Sequence, residues 1–135
     1  MTVLTPAQVL EQRRELLLKQ DVDGFVELFA PDGVIELPFA GPGMPSRLEG
    51  QRAIRDFSHR TAASPLRIDD LESTAVYQTD DPEVVITEII AHGTVTSTGR
   101  TFTGTSIQVF RICDGKIVLF RDYFNVDGLH DFLAA

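Results

Sequence analysis

The chain has 135 residues, 43% hydrophobic and 24% charged, with 20 acidic residues against 12 basic ones and a formal net charge of −8. That length suits one domain around one core, so residues 1–135 are expected to form a single unit. The acidic balance disfavours nucleic acid and anionic membrane as partners. No apolar run is long enough to span a bilayer, and no apolar signal region opens the chain, so a cytoplasmic protein is expected.

Thr5-Pro6-Ala7-Gln8 is a helix start: Thr5 can cap, Pro6 fits the first helical position, and Gln8 completes a capping box. Val9, Leu10, Arg13, Leu16 and Leu17 follow at helical spacing, which predicts a helix to about Gln20. Arg13 lies on or beside this apolar stripe. Its head either snorkels to water or reaches a pocket. A second helix is expected from Val22 to Ala30, ended by Pro31-Asp32-Gly33. Val34 to Phe39 reads as a strand with Ile35, Leu37 and Phe39 on one face. Gly41 to Ser46 is a loop cluster, short enough to rim a pocket. A third helix is expected from Gln51 to Ala63, with Ala53, Ile54, Phe57 and Thr61 on one side and His59 in solvent.

The rest reads as β structure: Leu66 to Tyr77, Val84 to Ser97, Arg100 to Cys113 and Lys116 to Asn125. In the second of these, Ile89 lies on the small apolar face and His92 on the other. Asp114-Gly115 marks a two-residue hairpin turn between the last two. The tail from Val126 carries Leu129, Phe132 and Leu133, which need a surface on the domain or on a partner subunit. Helices first and antiparallel strands after make an α+β protein.

Residue types that carry chemistry are few. There is no Gly-rich phosphate loop and no Cys pair, and His59, His92 and His130 do not stand at ligand spacing, so no metal and no cofactor are expected. Cys113 is a poor prospect for a reactive thiol. Strand alternation instead places Asp122 in a row with Val118, Phe120 and Phe124. A carboxylate there must be paired, protonated or solvent-reaching. Gln108 is a second polar group in an apolar row, with Ser106, Phe110 and Ile112. A strict two-residue turn pairs Cys113 with Lys116 and sets Gln108 opposite Arg121, which puts Gln108 and Asp122 on opposite faces. A one-residue bulge brings them together. The pattern leaves both registers open.

The stretches ELFAPDGVIELPF, LEGQRAIRDF and DGKIVLFRDYFN, in that order and spacing, resemble the nuclear transport factor 2-like superfamily in its SnoaL-like branch, over nearly the whole chain. Asp80 to Gly93 and Cys113 to Val126 are similar to the second half of the phenazine-biosynthesis A/B proteins. The resemblance implies a cone-shaped α+β barrel, three N-terminal helices packed on a strongly curved antiparallel sheet, and a homodimer. It also implies an apolar pocket for a small hydrophobic molecule. Residue by residue, the base of ketosteroid isomerases falls on Leu37, which has no proton to trade; their oxyanion-hole acid falls on Gln108 and their tyrosine near Arg13. The Arg and Asp of limonene-type epoxide hydrolases fall on Ile89 and Ala91. The phenazine-family histidine falls near Phe57. The third acid of the limonene-type epoxide hydrolases, the acid/base Asp of SnoaL-type polyketide cyclases and the acid of the phenazine family fall on Asp122.

The expected function is therefore cofactor-independent acid/base chemistry, an isomerisation, cyclisation or dehydration of a carbonyl-bearing metabolite. Asp122 is the expected acid/base and Gln108 the hydrogen-bond donor to a developing enolate. Arg13, Leu37, Phe57, Tyr77, Ile89, Phe110, Phe120 and Phe124 are the expected pocket wall. The alternative is a non-catalytic binding or dimeric interaction module of the same fold, in which Asp122 is structural.

Overall fold

A computed structural model describes residues 3–125. Two helices open the chain, α1 (Pro6–Lys19) and α2 (Val22–Glu27). Strands β1 (Phe29–Glu36) and β2 (Arg47–Glu49) follow, then α3 (Gly50–Ala62). Four long strands end it: β3 (Leu66–Gln78), β4 (Val84–Val95), β5 (Thr101–Cys113) and β6 (Lys116–Phe124). They form one six-stranded sheet in the order β2-β1-β6-β5-β4-β3. The α+β class holds, with two corrections. The sheet is mixed, because β1 runs parallel to β6. And only two helices precede the first strand, α3 coming after β2. The tail with Leu129, Phe132 and Leu133 lies outside the described residues. Among those described, no helix is long and apolar enough to cross a membrane.

The local signals act as their chemistry requires. The Thr5 hydroxyl accepts the Gln8 backbone N–H at 3.2 Å, and the Gln8 side chain accepts that of Thr5 at 2.9 Å, closing the capping box. Gln20 ends α1 in the left-handed region, and Asp21 caps α2 by accepting from Gly24. Asp114 and Gly115 both take positive φ, 51° and 76°, as a two-residue hairpin turn of this kind demands.

The differences have physical causes. α2 ends at Glu27, three residues before the expected Ala30, because Phe29 is already a β1 residue paired with Ile117. Pro31-Asp32-Gly33 then bulges within β1, where the register jumps between Phe29 and Val34, and does not serve as the turn. Phe39 falls beyond β1 and is 59% exposed. β2 is a three-residue strand with no apolar alternation to announce it. Its pairing with β1 closes the Gly41 to Ser46 loop.

The core is the space between the helices and one face of the sheet. Val9, Val26, Phe29, Ile54, Phe110 and Ile117 are fully buried there. The β5–β6 ladder shifts register between Arg111 and Ile112, so Val118 is the extra residue of a bulge. This corrects the expected face: Ile117, not Val118, joins Phe120 in the core. It also settles the open register. Gln108 lies directly opposite Asp122.

Candidate functional site

Thr87 of β4, Gln108 of β5 and Asp122 of β6 are neighbours in one transverse row, because Thr87 pairs with Gln108 and Gln108 with Asp122. Directly paired residues share a face with side chains about 5 Å apart. Thr87 is 1% exposed and Gln108 5% exposed, so this is a polar seam inside an apolar layer. Each member has a partner. The Thr87 hydroxyl lies 3.1 Å from that of Ser73. The Ser106 hydroxyl donates to Asp122 Oδ1 at 2.5 Å. Gln108 Oε1 accepts from Arg13 Nη1 at 2.8 Å, and Gln108 lies directly across the ladder from Asp122, whose ionised form it favours.

Arg13 drops into this seam from α1. It does not snorkel: it is 3% exposed. Its guanidinium carbon lies 5.0 Å from the Phe110 ring centre and 5.8 Å from that of Phe120, and the two rings are stacked at 4.6 Å. Both are cation–π contacts. Burial pushes the Arg13 guanidinium down to about 10, against the upward pull of Asp122, so it remains charged at neutral pH.

Asp122 lines a cavity of about 210 Å³ between the sheet and the helices. Its walls include Leu16 and Leu17 of α1, Phe25 of α2, Phe57 of α3, Leu37 after β1, and Phe120. Burial raises the Asp122 carboxyl above the usual carboxylate range. The Ser106 hydrogen bond, the Arg13 charge and the Gln108 hydrogen bond pull the other way. The arrangement is a half-buried carboxyl that meets an apolar space.

The expected wall residues divide. Leu37, Phe57 and Phe120 line the cavity with Asp122. Arg13, Gln108 and Phe110 form the packed layer behind it. Ile89 and Phe124 line a second, wide-open hollow of about 920 Å³ along β4, β5 and β6, which also takes in Phe39, Ile107 and Tyr123. Tyr77 stands apart and is corrected as a wall residue: it is 51% exposed and its hydroxyl donates to Glu88, on the opposite face from Gln108. His92 pairs with Glu72 on that outer face, and His59 stands in solvent near Asp23. Burial and neighbouring acids, Glu83 foremost, push the Cys113 thiol up to about 11. Among the described residues no group of three or more His, Cys, Asp or Glu could hold a metal.

Ser106 joins the site without being among the expected site residues, although it sits two positions before Gln108 on the same face. That spacing was the available signal. The helix residues of the cavity wall carried no signal beyond their apolar stripe.

The SnoaL-like domain family matches residues 10–120. A PhzA/B-like protein of Pseudomonas aeruginosa, itself uncharacterized, is 33% identical over 118 residues, which is 87% of this chain and 82% of that protein. A solved Bacillus subtilis structure, described only as a candidate isomerase, superposes with a TM-score of 0.89 at 29% identity, over 95% of this chain and 91% of that one. A Mycobacterium tuberculosis protein solved with estradiol-17beta-hemisuccinate superposes with a TM-score of 0.71 at 20% identity, over 89% and 93% of the two chains.

Proposed function

Because the chain belongs to the SnoaL-like domain family, we propose that it is a cofactor-independent acid/base enzyme for a small carbonyl compound, with Asp122 as the proton carrier. The observation that carries this reading is the Asp122 carboxyl at the wall of an apolar cavity, raised by burial. In the step envisaged, the ionised carboxylate takes a proton from the carbon next to the carbonyl. The electron pair of the broken C–H bond moves to the carbonyl oxygen as an enolate. The protonated carboxyl then returns the proton, to another carbon in an isomerisation or to a leaving oxygen in a dehydration. Gln108 holds Asp122, and Arg13 and Phe110 support it from behind. The sheet is taken to curve around this cavity. An engineered cavity of about 150 Å³ accepts benzene, so about 210 Å³ suits a molecule of one or two rings. A related fold that holds a steroid ester supports an apolar, partly cyclic ligand.

The test is α-proton exchange in deuterium oxide, over a panel of one- and two-ring ketones, enones and β-dicarbonyl compounds. Asp122→Asn is expected to keep ligand affinity and lower exchange about 10²- to 10⁴-fold. Exchange that survives Asp122→Asn sinks the reading.

A second reading has its own observation in favour. Ser106 and Gln108 both bond to Asp122, as they would to a purely structural carboxyl. On that reading the panel binds, nothing exchanges, and Asp122→Asn alters stability alone. The homodimer implied by the resemblance is likewise a proposal. Its surface would be the outer face of β5 and β6, where Ile107 is 49% exposed beside Tyr123 and Phe39. A monomer by sedimentation would remove it.

A further inference from the structure

Arg13 is an expensive residue to place where it is. A guanidinium buried to 3% exposure needs compensation. Yet none of the ion pairs of the described residues includes it. Its Nε finds no hydrogen-bond partner. The Phe110 and Phe120 rings hold the charge in place, and one directed bond leaves it, from Nη1 to Gln108 Oε1 at 2.8 Å. An amide has an acceptor end and a donor end. With its oxygen turned to Arg13, Gln108 presents its N–H₂ end to Asp122, directly across the β5–β6 ladder. If the amide flipped, its oxygen would face Asp122 instead. The N–H₂ end stabilises a carboxylate, whereas the oxygen end would accept a proton from a carboxylic acid.

We propose that Arg13 is a positioning residue that locks the Gln108 amide in the orientation favouring ionised Asp122, and so keeps a carboxyl in an apolar cavity available as a base. The proposal deepens the acid/base reading of Asp122 and rests on it for its biological sense, though its geometry stands without turnover. It also bears on how the carboxyl gives up its proton in a desolvated place: burial pushes toward the neutral acid, and the Ser106 hydrogen bond first, then Arg13 and Gln108, push back. The other groups facing Asp122 are few. Ser106 comes from β5. α3 presents Phe57 and Ser58, β1 presents Ile35, and Leu37 follows it. The other carboxylate on the cavity wall is Asp21, held by the Gly24 N–H at the start of α2.

The experiment is carbon-13 NMR titration of the Asp122 carboxyl in the wild type, Arg13→Met, Gln108→Met and the double variant. Arg13→Met is expected to raise the Asp122 pKa by about one unit or more, roughly a tenfold change in its protonation constant. Gln108→Met is expected to raise it as well. If Arg13 works through Gln108, the double variant rises by less than the sum of the two singles. A pKa unchanged in Arg13→Met, or fully additive rises in the double variant, overturns the proposal. Should Arg13→Met not fold, Arg13→Lys and Gln108→Met carry the test. The lysine keeps the charge and is expected to stay near the wild-type value, and an unchanged value in Gln108→Met overturns the proposal. The titration needs no substrate, so its outcome separates from that of the exchange assay. A raised pKa without any exchange retires the enzyme reading alone. Exchange that depends on Asp122, with no rise in Arg13→Met, retires this inference alone.

Discussion

Arg121 and Asp122 are adjacent in sequence and live in different solvents. Strand alternation sends Arg121 to the outer face, where its Nε and Nη2 donate to Glu36 Oε1 at 3.1 and 2.9 Å. Glu36 also takes Arg47 at 3.0 Å, and Arg47 reaches Glu49 at 2.8 Å. All four side chains remain a quarter or more exposed. Asp122 turns inward to Ser106, Gln108 and the Arg13 charge behind them. Each face sets arginine near a carboxylate. Inside, few charges meet through oriented hydrogen bonds in a low dielectric. Outside, more charges meet directly in water. The number of ion pairs does not rank the two faces by the cost of their charges. What matters is how costly a charge is where it sits.

The largest break in the comparison comes from deleting one arginine on each face. Arg13→Ala removes a packed guanidinium from beside the stacked Phe110 and Phe120 rings and leaves the Gln108 carbonyl unpaired. It is expected to cost about 1–3 kcal/mol in urea unfolding, the penalty of a buried acceptor left without its donor. Arg121→Ala is expected to cost about 1 kcal/mol or less, since its partner Glu36 stays solvated and keeps Arg47. Equal losses would mean that the inner seam is no more dependent on its charge than the outer ladder.

The next prediction concerns pH. The folded-state pKa of Asp122 is raised above its ordinary value of 3.8, so the native state holds this proton more tightly than the unfolded chain does. Its contribution to stability is fully present below the unfolded pKa and is lost as pH rises through the folded pKa. Other carboxylates titrate in the same window, so the readout is the difference between wild type and Asp122→Asn. The wild type is expected to lose stability relative to the asparagine variant as pH rises from about 4, by about 1.4 kcal/mol for each pKa unit of elevation. A flat difference curve would place Asp122 with the solvated acids of the outer face. A smaller effect is expected from Thr87→Val, which deletes the hydroxyl facing Ser73 in the same buried row, about 0.5–1.5 kcal/mol in urea unfolding.

The legible part of the molecule was what local chemistry decides. The Thr5 to Gln8 box, the Asp114-Gly115 turn and the four long strands announce themselves through short-range preferences, and their observed bounds follow. Asp122 was visible because an acid within an apolar alternation is costly wherever the strand goes. What was not legible depended on partners distant in sequence. The parallel β1–β6 pairing overrides a Pro-Asp-Gly turn signal, because Phe29 and Val34 gain the central ladder. The Val118 bulge decides whether Gln108 and Asp122 meet at all, yet nothing in the residues around it marks the extra position. Arg13, at the edge of an apolar stripe, leaves two fates open in the sequence, its head in water or in a pocket. Its burial follows from Gln108, 95 residues away.

The smallest expected effect lies at the far end of the outer ladder. Arg47 is half exposed and bridges Glu36 and Glu49, two carboxylates that both reach water without it. Both acids hold its guanidinium above its ordinary value, the Glu49 hydrogen bond most, the direction a strong pair would give. Solvent screening removes most of that promise, because the ions exchange water for one another at little gain and two long side chains lose their freedom. Arg47→Ala is therefore expected to leave the thermal midpoint within experimental scatter, at low salt and in 1 M sodium chloride alike. A clear, salt-dependent drop would show that the ladder pins β2 against β1 and with it the loop that carries Leu37 to the cavity. In that case the two faces would be energetically joined through β1, and changes on the outer face would reach Asp122.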